Sequence, residues 1–207
     1  MEKKTKEQRE LILQESKLEV RKVEGEPTKI IGYAVRWDQL SHPIYGMFQE
    51  RFKRGAFAAS LINPDVYAAW QHDAREILGR TPGTLLVAED DIGLRYEITP
   101  PSWAEKYVET IERGDVRGSS FIFRAVSGGE EWDEETNPDM PIRTIKEAEL
   151  FEVSPVTTPA YPQSSVGIRS AEETFQSRPT TETTKDDEEE QRAIANDLEM
   201  RLRKLNL

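Results

Sequence analysis

Between Leu18 and Arg169 the chain is a succession of short runs that favour extended backbone: TKIIGYAVRW (28–37), DVYAAWQH (65–72), GTLLVAED (83–90), GLRYEIT (93–99), VRGSSFIFRAV (116–126) and IRTIKEAELFEVSPV (142–156). Each is rich in β-branched and aromatic residues and is bounded by Gly, Pro or Asp, which is the signature of strands separated by turns. AEDDIG (88–93) lies between two of these runs and predicts a hairpin turn. Two helices interrupt the series. One is expected over RFKRGAFAASL (51–61), and the other begins after Ser102 as N-cap, with Glu105 three residues on as its capping-box partner and Gly114 beyond its end. Trp103, Tyr107, Val108 and Ile111 of that second helix share a face suited to packing on a sheet. Many short strands with few helices predict an α+β fold, a β-barrel or sandwich with helices packed outside.

The remaining segments set the domain organisation. Residues 1–17 fit either a short helix or the lead-in to a strand, and residues 18–170 form the body. From Glu172 to Arg192 the chain carries one aromatic residue amid Thr and Glu, so residues 171–192 read as an acidic disordered linker. In residues 193–207, Ile194, Leu198, Leu202 and Leu205 fall near helical spacing. That helix needs a surface to dock on, whether this body, another copy of the chain in a homo-oligomer, or a separate partner.

Composition narrows the chemistry. With 36% hydrophobic residues among 207, a core of one domain's size is expected. The chain has no cysteine, which excludes disulfides, thiolate nucleophiles and Cys-ligated metals, and its two histidines leave little for a histidine-rich metal site. A formal charge of −11 without a basic stripe argues against nucleic acid. No apolar run approaches the roughly 20 residues that cross a bilayer, so no membrane partner and a cytoplasmic location are expected.

Three positions stand out as chemically capable. Ser119 and Ser120 stand together in GSSF, and on a strand Ser119 sides with Phe121 and Phe123 while Ser120 sides with Ile122 and Arg124. Serines after Gly at a strand entrance also serve plain turn chemistry. His72 ends the run before Asp73, at a strand terminus where sites are commonly built, although a strand-end histidine bonded to a carbonyl is the simpler alternative. His42, beside Pro43, reads as a surface turn. Glu152 is a carboxylate between Phe151 and Val153 that needs a partner unless it faces water at a sheet edge; strict alternation puts it on the same face as Leu150. Glu149 is its local competitor, and Asp73 is the acid adjacent to His72. A hydroxyl, a base and an orienting acid are the parts of nucleophilic serine catalysis, and their order along a chain is free.

Five blocks, IIGYAVRWDQLS (30–41), ERFKRGAFAASL (50–61), WQHDAREILGRTPGTLLVAEDDIGLRYEI (70–98), GDVRGSSFIFRA (114–125) and LFEVSPVTTPAYPQSSVGIR (150–169), taken in order, resemble the prohead proteases of tailed bacteriophages, the serine peptidases of capsid maturation. That family looks related to the herpesvirus assembly proteases, so the resemblance implies a β-barrel surrounded by helices. It implies His72 as base, Ser120 as nucleophile and Glu152 as the third member, with Ser119 a turn or packing residue. It implies a serine endopeptidase that needs no cofactor and acts on the scaffold protein, an extension of the major capsid protein and itself, first in the host cytoplasm and then inside the prohead. The linker and terminal helix would form a scaffold-like appendage. Members often carry Gly two places after the nucleophile, where this chain has Ile122. The alternative is a catalytically inactive capsid-assembly or scaffold-binding module of the same fold. A carbohydrate-cleaving enzyme would need a pair of acids singled out by spacing, and no pair is.

Overall fold

The computed structural model describes residues 6–11, 17–157 and 165–178. The chain divides into two units, Met1–Gln176 and Ser177–Leu207, and apart from Ser177 and Arg178 the described residues lie in the first. In chain order the strands are β1 (Glu7–Leu11), β2 (Glu19–Arg21), β3 (Lys29–Arg36), β4 (Gln49–Phe52), β5 (Tyr67–Trp70), β6 (Asp73–Arg80), β7 (Leu85–Glu89) and β8 (Gly93–Ile98). A turn of 3-10 helix then leads into α1 (Glu105–Glu112), followed by β9 (Gly118–Ala125), β10 (Glu130–Asp133), β11 (Ile142–Ile145), β12 (Ala148–Val156) and α2 (Ser165–Gln176).

The strands pair as three sheets: β1-β9-β12-β5-β6, β10-β11-β4 and β2-β3-β8-β7. The expected mixture of strands and helices is present, but among the described residues the sheets do not close into one barrel, and only α1 and α2 accompany them. The core lies where the inner faces meet, with Phe52 in ring contact with Phe57, Phe121 and Phe123 and Ile30, Leu94, Tyr96 and Ile98 fully buried. Gly32 on β3 is required by a close approach. A Cβ there would stand 2.5 Å from the Tyr96 hydroxyl and 3.2 Å from Ser119 Oγ, so only glycine lets β8 and β9 meet across that point.

Several sequence expectations are realised and several are not. The 88–93 hairpin forms, with Asp90 Oδ1 accepting from the amides of Ile92 and Gly93. The helix expected over 51–61 does not form. Arg51 and Phe52 are claimed by pairing of β4 with β11, and Glu89 accepts hydrogen bonds from the Gly55 and Phe57 amides, which leaves a series of turns. The second helix starts without a side-chain cap bond, so the Ser102–Glu105 capping box is absent, and Trp103 is 49% exposed while Val108 and Ile111 are buried. Gly114 ends it as expected, at φ +77°. The run 142–156 is two strands divided at Lys146–Glu147. In the N-terminal segment residues 7–11 are a strand, not a helix. The expected linker boundary at 171 is also displaced: α2 continues to Gln176, Ala171 is buried and Phe175 stacks on Phe48 and meets Trp132 edge-on. The rest of the linker, from 179, and the terminal helix lie outside the described residues.

A buried ionic cluster ties two sheets and α2 together. Arg143 on β11 donates to Glu7 of β1 (2.6 and 2.9 Å), to Glu50 of β4 (2.7 Å) and to Glu130 of β10 (3.0 Å). Arg9 of β1 donates to Glu50 (2.7 Å) and Glu7 (2.6 Å), and Thr174 of α2 donates to Glu7 (3.3 Å). Burial works against the Arg143 charge, but the surrounding carboxylates overcome it and raise its pKa well above the ordinary guanidinium value. Arg143→Ala is expected to lower unfolding free energy by about 3–5 kcal/mol in chemical denaturation, because it leaves buried carboxylates without their main partner. Lysine should not restore the loss, since one ammonium cannot reproduce the forked donors.

Candidate active site

The strand period places the two serines on opposite faces of β9. Ser119 points into the core, where its hydroxyl shares a 2.7 Å hydrogen bond with that of Tyr96, and burial raises the Tyr96 pKa so that its phenol stays neutral. Ser120 points to the other face with Ile122 and Arg124.

His72 comes from the neighbouring hairpin. Strands β5 and β6 are joined by Gln71 and His72 alone, with Trp70 opposite Asp73. Both turn residues adopt positive φ, +53° and +61°, as a two-residue hairpin of the type I′ kind demands, although neither is Gly or Asn. The strained turn is held from outside: the Gln71 amide donates to the Pro155 carbonyl (3.2 Å), and the Thr157 amide donates to the Gln71 side chain (3.4 Å). The imidazole therefore projects from a short tip fastened to the end of β12.

Glu152 arrives by a local irregularity. The register of β12 against β9 shifts between Leu150 and Glu152: Leu150 faces Phe123, Glu152 faces Ile122, and Phe151 is the extra residue. This β-bulge overturns the strict alternation expected from sequence. Leu150 and Val153 both enter the core, while Glu152 turns to the face carrying Ser120. The partner that a buried carboxylate requires is then His72.

The three side chains form a hydrogen-bonded chain. His72 Nε2 lies 2.5 Å from Ser120 Oγ, and His72 Nδ1 lies 2.6 Å from Glu152 Oε1. Glu152 is 2% exposed, and Ser154 Oγ donates to the same Oε1 at 2.7 Å. Burial pushes the Glu152 carboxyl up, but hydrogen bonds from His72, Tyr67 and Ser154 outweigh it and hold the group below the ordinary carboxylate range. Burial, with help from the Glu152 charge, pushes the Tyr67 phenol up to about 12, so it remains a donor at neutral pH. An ionised Glu152 fixes the tautomer in which Nδ1 bears the proton and Nε2 faces the serine as an acceptor. This arrangement can take a proton from a hydroxyl and return it to a leaving group, and among the described residues no cluster suited to a metal ion stands near it.

The rival acids are placed elsewhere. Asp73 is occupied by Arg75, whose side-chain and backbone hydrogen bonds lower its pKa to about 2, and Glu149 pairs with Arg124 at the surface. His42 is exposed in a turn. Tyr67, Ser154 and Gln71 were not singled out in the sequence. Ser154 was readable as two residues from Glu152 on the same strand face, whereas Tyr67 reaches Glu152 only through the parallel pairing of β5 with β12.

A family model described as caudovirus prohead serine protease matches residues 16–178. Neither the curated proteins nor the solved structures yield a match.

The depressed Glu152 pKa has a sign that can be measured. Its carboxylate stabilises the fold above the ordinary carboxylate range, and that contribution is lost as pH falls through the folded-state value. The stability gap between wild type and Glu152→Gln should therefore be widest near pH 7 and narrow as the pH falls below the ordinary carboxylate range in denaturation series. Ser119→Ala should cost about 1–3 kcal/mol, because the buried Tyr96 hydroxyl loses its partner.

Proposed function

The chain belongs to the caudovirus prohead serine protease family, and from that premise we propose that it is a serine endopeptidase in which Ser120 is the nucleophile, His72 the general base and acid, and Glu152 the group that orients His72. The observation that carries the reading is the unbroken chain from Glu152 Oε1 through both nitrogens of His72 to Ser120 Oγ. As Ser120 attacks a scissile carbonyl, its proton passes to His72 Nε2, and the imidazolium is stabilised by Glu152. His72 then protonates the leaving amine, and water on the same base releases the acyl-enzyme. Tyr67 and Ser154 keep Glu152 ionised and fixed, so the imidazole does not rotate out of line.

The family implies capsid and scaffold proteins as substrates in general, and a place of action within the assembling prohead. The finer reading is cleavage of the scaffold, of an extension of the major capsid protein and of the chain itself, in the host cytoplasm and then in the closed particle. No helix among the described residues is long and apolar enough to cross a membrane.

Co-expression with the capsid and scaffold proteins of the same phage, followed by intact mass measurement, tests this reading. Ser120→Ala should abolish processing with the circular dichroism spectrum unchanged, whereas Ser119→Ala should retain it. Glu152→Gln should reduce kcat by roughly 10³–10⁴-fold, since an amide no longer enforces the productive tautomer. Processing that persists in Ser120→Ala would overturn Ser120 as the nucleophile, and absence of processing by the wild-type chain would favour the non-catalytic assembly module.

A further inference from the structure

Ser120 is fully buried, and the strand paired along the outer edge of its own strand is β1. Strand β1 pairs antiparallel with β9 in a register that sets Glu10 opposite Ser120, and Ser120 Oγ donates a 2.9 Å hydrogen bond to the Arg9 carbonyl. A main-chain carbonyl at the nucleophile, on a strand added to the edge of the strand that bears it, is how an extended peptide would be presented to this hydroxyl. While β1 stays paired, the edge of β9 is not open to another extended peptide. Ser120 Oγ lies 2.5 Å from His72 Nε2 and 2.9 Å from the Arg9 carbonyl, so the hydroxyl stands between the imidazole and the resident strand.

The side chains of β1 occupy a built site. The Arg9 guanidinium sits against Phe123, 5.5 Å from the ring centroid, and donates to Glu50 at 2.7 and 3.2 Å, while Glu7, two residues earlier on the same face, receives the fork of Arg143. If β1 is lifted away, the body keeps Glu50, Glu130 and Arg143 there: a carboxylate facing the place of Arg9 and guanidinium donors facing the place of Glu7. The vacated groove is thus complementary to an acid, any residue and then an arginine.

Resting on the reading of Ser120 as nucleophile, we infer that the outer edge of β9 is the substrate-strand site, that it takes peptides with the pattern acid-x-Arg before the scissile bond, and that β1 is its resident occupant, cut between Arg9 and Glu10. Ser120 Oγ bonds to the Arg9 carbonyl carbon as its proton goes to His72 Nε2. The C–N bond to Glu10 breaks, with that proton passing to the Glu10 nitrogen. Water then hydrolyses the Arg9 ester, giving the Arg9 carboxylate and restoring the serine. Glu50 is the specificity-determining residue.

The test uses the full chain and the peptide TKEQRELILQ, residues 5–14. Intact mass and N-terminal sequencing of the purified chain should reveal a new terminus at Glu10 that is absent in Ser120→Ala. The peptide should be cut at the same bond, and replacing its arginine with alanine or glutamate should lower kcat/KM by about 30-fold or more. Replacing its first glutamate with lysine should also lower kcat/KM. Glu50→Gln should shrink the arginine preference, and the peptide series holds the test even where that variant folds poorly. Ser120-dependent cleavage of capsid or scaffold protein, with the Arg9–Glu10 bond intact in both chain and peptide, would overturn this inference and leave the peptidase assignment standing. Cleavage of the peptide regardless of the residue before the bond would overturn the specificity. Absence of any Ser120-dependent cleavage would overturn the peptidase reading and this inference with it.

Discussion

The fold is organised around a guanidinium that has no access to water. Arg143 is 1% exposed, and desolvating a cation on that scale is tolerable only when carboxylates surround it in good geometry. Those carboxylates come from β1, β4 and β10, strands far apart in sequence that belong to two different sheets. Arg9 supplies the second cation, leaving three acids against two bases in the cluster, and Thr174 supplies a further donor. Any arrangement that separates these strands strands a charge in the interior. The cluster therefore favours one packing of the two sheets and holds the N-terminal strand against them.

The same strand, β9, serves two environments at once. Its inward residues build the aromatic core and reach β8 through the Tyr96–Ser119 hydroxyl pair, and its outward residues present Ser120 to His72. Core packing immobilises the backbone on one side, so the hydroxyl on the other side is held with little freedom. β12 does the same with an interruption. It lies between β9 and β5, contributes Leu150 and Val153 to the core, and through the bulge at Phe151 contributes Glu152 to the opposite face.

What sequence made legible follows from the range of the interactions involved. The two-residue period was sufficient to set Ser119 and Ser120 on opposite faces, since it depends only on neighbours along one strand, while the choice of Ser120 came from the family resemblance. Glu152 could be singled out as a carboxylate among apolar residues, but its face could not, because the bulge exists only in relation to β9. The helix expected at 51–61 had acceptable local propensity and was overridden by Glu89 and β11, both distant in sequence. β1 carried little strand signal in EQREL: it is extended because β9 offers an edge and Arg143 and Glu50 hold its charges. The positive φ of Gln71 and His72 left no trace in composition, since the residues that usually advertise such a turn are absent.

That turn has a consequence for timing. A base carried on a long loop would sample many positions and would have to be gathered in before each turnover, with the associated loss of entropy entering the barrier. Here two residues between paired strands, fastened at Pro155 and Thr157, leave the imidazole almost no backbone excursion. The ordering is completed when the hairpin folds, so, on the proposed assignment of Ser120 and His72, the motion that opens the site falls to the strand paired beside Ser120 and not to the hairpin that carries His72.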